Sequence, residues 1–141
     1  MRVVVDTNVL ISGLISGSGP PAGLVDLWVE GAIQVAVSPL IISEYFGVFL
    51  RPKFEATGSV GARQQVLERL IVLPNTLVIV PETRVACISE DPSDDRFLEC
   101  AKVARADLIV SGDEHLMALS LFQGISIVNP RRFIELMNSP G

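Results

Sequence analysis

Four acidic residues are spaced so that they could share one cation. Asp6, in Asp6-Thr7-Asn8, closes the β-branched run Val3–Val5, and Asp113, in Ser111-Gly112-Asp113, closes the apolar run Leu108–Val110. Each could be no more than the cap of the helix that follows, since aspartate is favoured there. Glu44 resists that explanation. It lies one turn after Leu40 and one turn before Val48, beside Ile41, in the apolar stripe of its helix. A carboxylate facing inward from such a stripe needs a cation, a hydrogen-bond network or a proton, because burying it unpaired is very costly. The fourth acid comes from Asp91-Pro92-Ser93-Asp94-Asp95-Arg96-Phe97-Leu98-Glu99-Cys100-Ala101. At 3.6 residues per turn Asp94 shares the inward face with Phe97, Leu98 and Ala101, whereas Asp95 points with Glu99 and Lys102 to solvent. Asp94 is therefore the expected ligand and Asp95 the alternative. Two carboxylates about 4 Å apart repel by roughly 4 kcal/mol at an effective dielectric of 20, so such a cluster demands a cation or bound protons. Oxygen donors without a His or Cys cage suit Mg²⁺ or Mn²⁺ rather than Zn²⁺. His115, the single histidine, is expected to be a surface or cap residue.

The elements that must position these acids alternate along the chain. Val3–Val5 is expected as a strand, with helical spacing through Val9, Leu10, Ile11, Leu14 and Ile15. Gly17-Ser18-Gly19-Pro20-Pro21 interrupts it, and Leu24, Leu27 and Trp28 mark a second helix ending near Gly31. Ile33–Val37 is a second strand, followed by a helix from Pro39 to about Leu50 with Ser38 as cap and proline at its first position. A helix from Val60 to Leu73, a strand Leu77–Val80 and a helix opened by Asp91-Pro92 follow. The remainder is a strand Leu108–Val110, a short helix Glu114–Leu121, a strand Ile125–Val128 and a terminal helix Pro130–Met137. Continuous apolar strands separated by helices indicate a three-layer α/β/α sandwich on a five-stranded parallel sheet, occupying residues 1–141 as a single domain. In such sheets ligands bind beyond the carboxyl ends of the strands, where Asp6 and Asp113 stand.

Composition excludes several classes. Hydrophobic residues make up 49% of the 141 and charged ones 19%, far from a disordered composition. No apolar run approaches the length of a membrane span, the first residues meet Asp6 too early for a signal-peptide core, and Cys87 and Cys100 lack ligand spacing and are expected as buried thiols. A cytoplasmic setting is expected. The net charge of −5 argues against a nucleic-acid partner only if it is spread evenly. Setting four of the 16 acids aside for one metal site leaves the rest nearly balanced against 11 basic residues. Gly17-Ser18-Gly19-Pro20-Pro21-Ala22 is a poor dinucleotide motif, since it follows a helix and its prolines donate no hydrogen bonds.

The order and spacing of Asp6-Thr7-Asn8, Glu44, Asp91–Ala101 and Ser111-Gly112-Asp113 resemble the acidic motifs of PIN domains, over nearly the whole chain. Arg51-Pro52-Lys53-Phe54 after the third helix resembles the branch related to VapC toxins. The resemblance implies a Mg²⁺- or Mn²⁺-dependent endoribonuclease cleaving single-stranded RNA, often homodimeric and often held inactive by an antitoxin protein. On this reading Asp6, Asp94 and Asp113 are ligands and Glu44 is a ligand or a water-orienting base. Thr7, Asn8 and Ser111 hold carboxylates or waters in place, and Arg51, Lys53 and Arg96 are candidate phosphate contacts. The competing reading is a catalytically silent PIN-like binding module, disfavoured because such a copy has no reason to keep an inward Glu44. A dimer is also expected from Val9, Leu10, Leu14, Leu24, Leu27 and Trp28, which give the first two helices more apolar surface than one sheet face needs.

Overall fold

The computed structural model describes residues 1–81 and 95–139. Strand β1 (Arg2–Val5) is the centre of the sheet, with strands on both its edges, and its Val3, Val4 and Val5 are wholly buried, as in a parallel sheet covered on both faces. Outward on one side lie β2 (Gln34–Val37) and β3 (Thr76–Val78); on the other lie β4 (Leu108–Val110), β6 (Ile125–Val128) and β5 (Leu121–Phe122). All pairings are parallel except that of β5 with β6. The chain thus builds outward from β1 in one direction and then returns to β1's other edge, which makes the β1/β4 boundary the place where strand order reverses. A crevice forms at the carboxyl ends of strands at such a reversal.

Five parallel strands are expected from the sequence, and six are present in the described part. The helix expected to run to Leu121 ends as α6 (Glu114–Leu119), and Leu121–Phe122 instead pairs antiparallel to β6. The reason is local. Gln123 and Gly124 have φ of 48° and 83°, the positive pair that a tight two-residue hairpin requires, and a hairpin partner captures the preceding residues.

Seven α-helices fall among the described residues. Helix α1 (Thr7–Ile15) packs on α2 (Pro20–Glu30) and on α3 (Pro39–Phe49), and α2 packs on α7 (Pro130–Asn138). Gly31, at φ 80°, ends α2 in the left-handed conformation that glycine adopts without cost. Trp28 is fully buried and its indole N–H donates to Thr76 Oγ1 at 2.8 Å, tying α2 to β3. Val9, Leu10, Leu24 and Trp28, expected to face a second copy, are consumed inside one chain, and Leu14 and Leu27 are half-buried. That argument for a dimer therefore fails, because α1 is covered by α2 and α3, and α2 by α1 and α7.

Helix α4 (Val60–Ile71) carries a buried arginine. Arg63 donates to the Phe49, Arg51 and Gly58 carbonyls at 2.6, 3.0 and 2.9 Å, clasping the 3-10 turn Pro52–Thr57 against the end of α3. The expected helix opening at Asp91-Pro92, together with Asp94 and Cys87, lies outside the described residues. Helix α5 (Asp95–Ala104) packs on β1, β2, β4 and also on α3. Covered on more than one side, it buries Phe97 through Ala101 without a break, so Glu99, expected in solvent, is only 6% exposed. Cys100 is buried as expected, and burial followed by the neighbouring Glu99 charge pushes its thiol up to about 12. Among the described residues no helix is long and apolar enough to cross a membrane.

The α1/α2 contact depends on one glycine. A Cβ on Gly13 would stand 2.5 Å from the Pro21 carbonyl oxygen and 2.7 Å from Val25 Cγ2. In an open helix Gly→Ala gains roughly 0.5–1 kcal/mol. Here the backbone oxygen cannot rotate away, and Gly13→Ala is expected to cost about 1–3 kcal/mol instead. Urea denaturation of the two proteins measures the sign directly.

Candidate metal centre

Sheet register brings the first and last acids together. Val5 pairs with Val110, and the Asp6 amide donates to the Val110 carbonyl at 3.0 Å, so Asp6 and Ser111 leave adjoining strands side by side. Ser111 is wholly buried. Its hydroxyl donates to Asp6 Oδ2 at 2.7 Å and accepts from the Asp113 amide at 2.9 Å, linking the two acidic segments through one oxygen. Asp6 sits at the N-cap of α1 but makes no side-chain capping bond, so capping does not account for it. Asp113 does cap: its Oδ1 accepts from the His115 and Leu116 amides at 2.8 and 3.1 Å. Those two bonds fix the orientation of its carboxylate.

Glu44 arrives from α3. Ser38 caps this helix, accepting from the Ile41 amide, and Tyr45 pins its middle by donating to the Val5 carbonyl at 2.5 Å. Tyr45 is 1% exposed, and burial raises its phenol well above the usual range, so it remains a donor. Its neighbour Glu44 is thereby carried to the end of β1, where Thr7 Oγ1 donates to Glu44 Oε2. Arg96, in the first turn of α5, pairs with Glu44 Oε1 at 3.1 Å.

The Asp6 carboxyl is held above its ordinary value of 3.8, first by burial and then by the charges of Asp113 and Glu44, against the opposing hydrogen bond from Ser111. Among the described residues Asp6 has no cationic partner, which is the condition a hard divalent ion would relieve. The donors offered are carboxylate oxygens, chemically suited to such an ion. Among the described residues, however, no group of three or more His, Cys, Asp or Glu side chains is gathered tightly enough to hold one. Asp6, Glu44 and Asp113 influence one another but do not by themselves form a cage, and the expected fourth acid, Asp94, lies outside the described residues.

The other expected residues divide. Asn8 is exposed and, with Ser12, Gly112 and Asp113, lines a cleft of about 430 Å³ beside the acids. Arg51 and Lys53 are not brought to the site: they follow α3 at least seven residues beyond Glu44, about 10 Å along the axis, and Lys53 lies 5.1 Å over the Phe54 ring. Arg96, expected as a surface phosphate contact, is instead bonded to Glu44. Asp95 opens α5 and is half-buried. Tyr45 was not singled out by sequence reasoning; its signal is its place with Ile41 and Phe49 in the buried stripe of α3.

The family model for the PIN domain matches residues 2–115. The chain belongs to the PIN-domain family. An uncharacterised protein of Methanocaldococcus jannaschii is 32% identical over 119 residues, covering 84% of this chain and 75% of its own. The fold is also that of a chain in the crystal structure of VapBC2 from Rickettsia felis bound to a DNA fragment from its promoter, with TM-score 0.59 and 13% identity over 92% of this chain and 98% of that one. PIN domains in general are metal-dependent nucleases.

The raised Asp6 carboxyl has a signed consequence for the metal-free PIN domain. The native state holds this proton more tightly than the unfolded chain does, so stability falls as pH rises from about 3.8 through the native value, and the loss is complete above it. Asp6→Asn removes that loss while keeping an acceptor for Ser111. At pH 7 in chelator the variant is expected to be more stable than wild type and to melt at a higher temperature. Thermal denaturation from pH 4 to 8 checks both the gain and the missing pH slope.

Proposed function

We propose that the protein is a Mg²⁺- or Mn²⁺-dependent endoribonuclease that cleaves single-stranded RNA, and that it is the toxin of a toxin–antitoxin pair acting in the cytoplasm. The observation that carries the nuclease reading is the buried Asp6 carboxylate, linked through Ser111 to Asp113 and facing Glu44 with no cation of its own among the described residues. Asp6, Asp113 and Asp94 are the proposed ligands, with Asp95 as the alternative to Asp94. A divalent ion, once bound, supplies positive charge at the scissile phosphate and makes an attacking water more acidic. Ser111 and the α6 amides orient the Asp6 and Asp113 oxygens, and Thr7 orients Glu44, so that no rearrangement of those side chains is needed as charge develops. Glu44 serves as a ligand or accepts the proton of the water. Asn8, which lines the cleft, would hold a water or a ribose oxygen.

The antitoxin reading rests on family membership and on the likeness to a chain from a VapBC2 assembly. Self-association is proposed with it, through the exposed Ile15 and Val29 on α1 and α2 rather than through the buried side chains beneath them. Arg51 and Lys53 would then meet RNA only at a distance from the cut, through its backbone charge.

Two neighbouring acids test the site. Asp94→Asn is expected to lower Mn²⁺-dependent cleavage of an unstructured RNA by more than about 100-fold, beyond the loss that outer partners of a metal site can cause. Asp95→Asn, at the start of α5, is expected to keep a substantial part of the rate. Both changes are nearly isosteric and remove one charge, so helix-dipole effects of roughly 0.3–1 kcal/mol are shared between them. Full activity in both variants would remove α5 from the catalytic centre, and no metal-dependent cleavage by wild type would remove the nuclease reading.

A further inference from the structure

Both oxygens of Glu44 are already engaged. Oε2 accepts from Thr7 and Oε1 is paired with the Arg96 guanidinium at 3.1 Å, the two side chains being 29% and 19% exposed for Arg96 and Glu44. Thr7 directly follows the proposed ligand Asp6, and Arg96 directly follows Asp95, the alternative ligand to Asp94, so the carboxylate is held from two elements that border the proposed centre. A neutral hydroxyl can remain as an orienting donor while an ion binds. A guanidinium cannot share a carboxylate oxygen with a divalent cation without strong like-charge repulsion.

We propose that Arg96 is the resident counter-ion of Glu44, a positioning residue that keeps this carboxylate at the site and competes with the divalent ion for it. The inference rests on the metal-dependent reading above. It reverses the sign of an ordinary supporting role. Were Arg96 only a brace that aims Glu44 at the ion, removing it would weaken metal binding; as a competitor, removing it strengthens binding. Partial burial makes the pair strong enough to hold Glu44 in one orientation, while the exposed part of the guanidinium gives it a path to water when displaced. The long, planar side chain can then turn its charge toward an arriving phosphate without leaving α5.

Calorimetric titration of the intact chain with Mn²⁺ decides between the signs. Arg96→Met is expected to tighten Mn²⁺ binding roughly three- to tenfold, and Arg96→Lys, which keeps the charge, to stay close to wild type. In a Glu44→Gln background the same Arg96→Met change is expected to give less than half the effect on a logarithmic scale, because the carboxylate contested by the two cations is gone. Circular dichroism confirms that each variant is folded. Unchanged or weaker Mn²⁺ binding in Arg96→Met overturns the proposal, as does an equal gain in both backgrounds, which would reflect general charge rather than competition at Glu44. Absence of Mn²⁺ binding by wild type would instead defeat the metal-dependent reading itself.

Discussion

The Asp6 carboxylate is taken out of water at the end of β1, and its ionisation there is resisted first by burial and then by Asp113 and Glu44. An isolated charge in that position is unfavourable unless something compensates it. Within the described protein the compensation is partial: one hydroxyl from Ser111 and the amide of Thr7. The rest of the rim is organised around this shortfall. Ser111 is buried to the last atom because it bridges Asp6 and the Asp113 backbone, and Tyr45 is buried because it draws α3 onto the Val5 carbonyl and so sets Glu44 opposite Asp6. Structural stability alone would favour an amide in place of Asp6, so folding does not account for the acid there.

The fold supplies what such an arrangement requires. Parallel strands end at one rim, and the reversal of strand order beside β1 leaves room there for side chains from β1, β4 and α3 to converge. Rigid neighbours matter more than sequence proximity. Asp6 and Ser111 are 105 positions apart, yet the Val5–Val110 register makes them adjacent. The same fold is found in a chain at 13% identity, so most of the sequence can differ while the architecture persists.

Much of this was legible in the sequence where a single local rule governed the outcome. The strand ends before Asp6 and Asp113 follow from β-branched and apolar runs, which do not depend on distant partners. Helical period placed Glu44 less well, since the buried stripe of α3 is Ile41, Tyr45 and Phe49, with Leu40 exposed and Glu44 half-buried beside it. Failures came where tertiary packing overrides the local pattern. Glu99 has solvent phase on an isolated helix, but α5 is covered by both the sheet and α3. Leu121 continues a helical pattern, but the Gln123–Gly124 turn folds it back onto β6. The apolar residues of α1 and α2 suggest a spare face, whereas α3 covers α1 and α7, more than 90 residues later, covers α2. The Arg96–Glu44 pair joins positions 52 apart and leaves no periodic trace at all.

Location of the ion itself is the most direct measurement. In a crystal of the intact chain grown with Mn²⁺, anomalous scattering is expected to place a peak about 2.1 Å from an Asp6 carboxylate oxygen, with at least one oxygen from Asp94, Asp113 or Glu44 in the same coordination sphere. A well-occupied Mn²⁺ peak elsewhere on the protein, with the Asp6 carboxylate bonded to Ser111 and to no ion, would contradict the account.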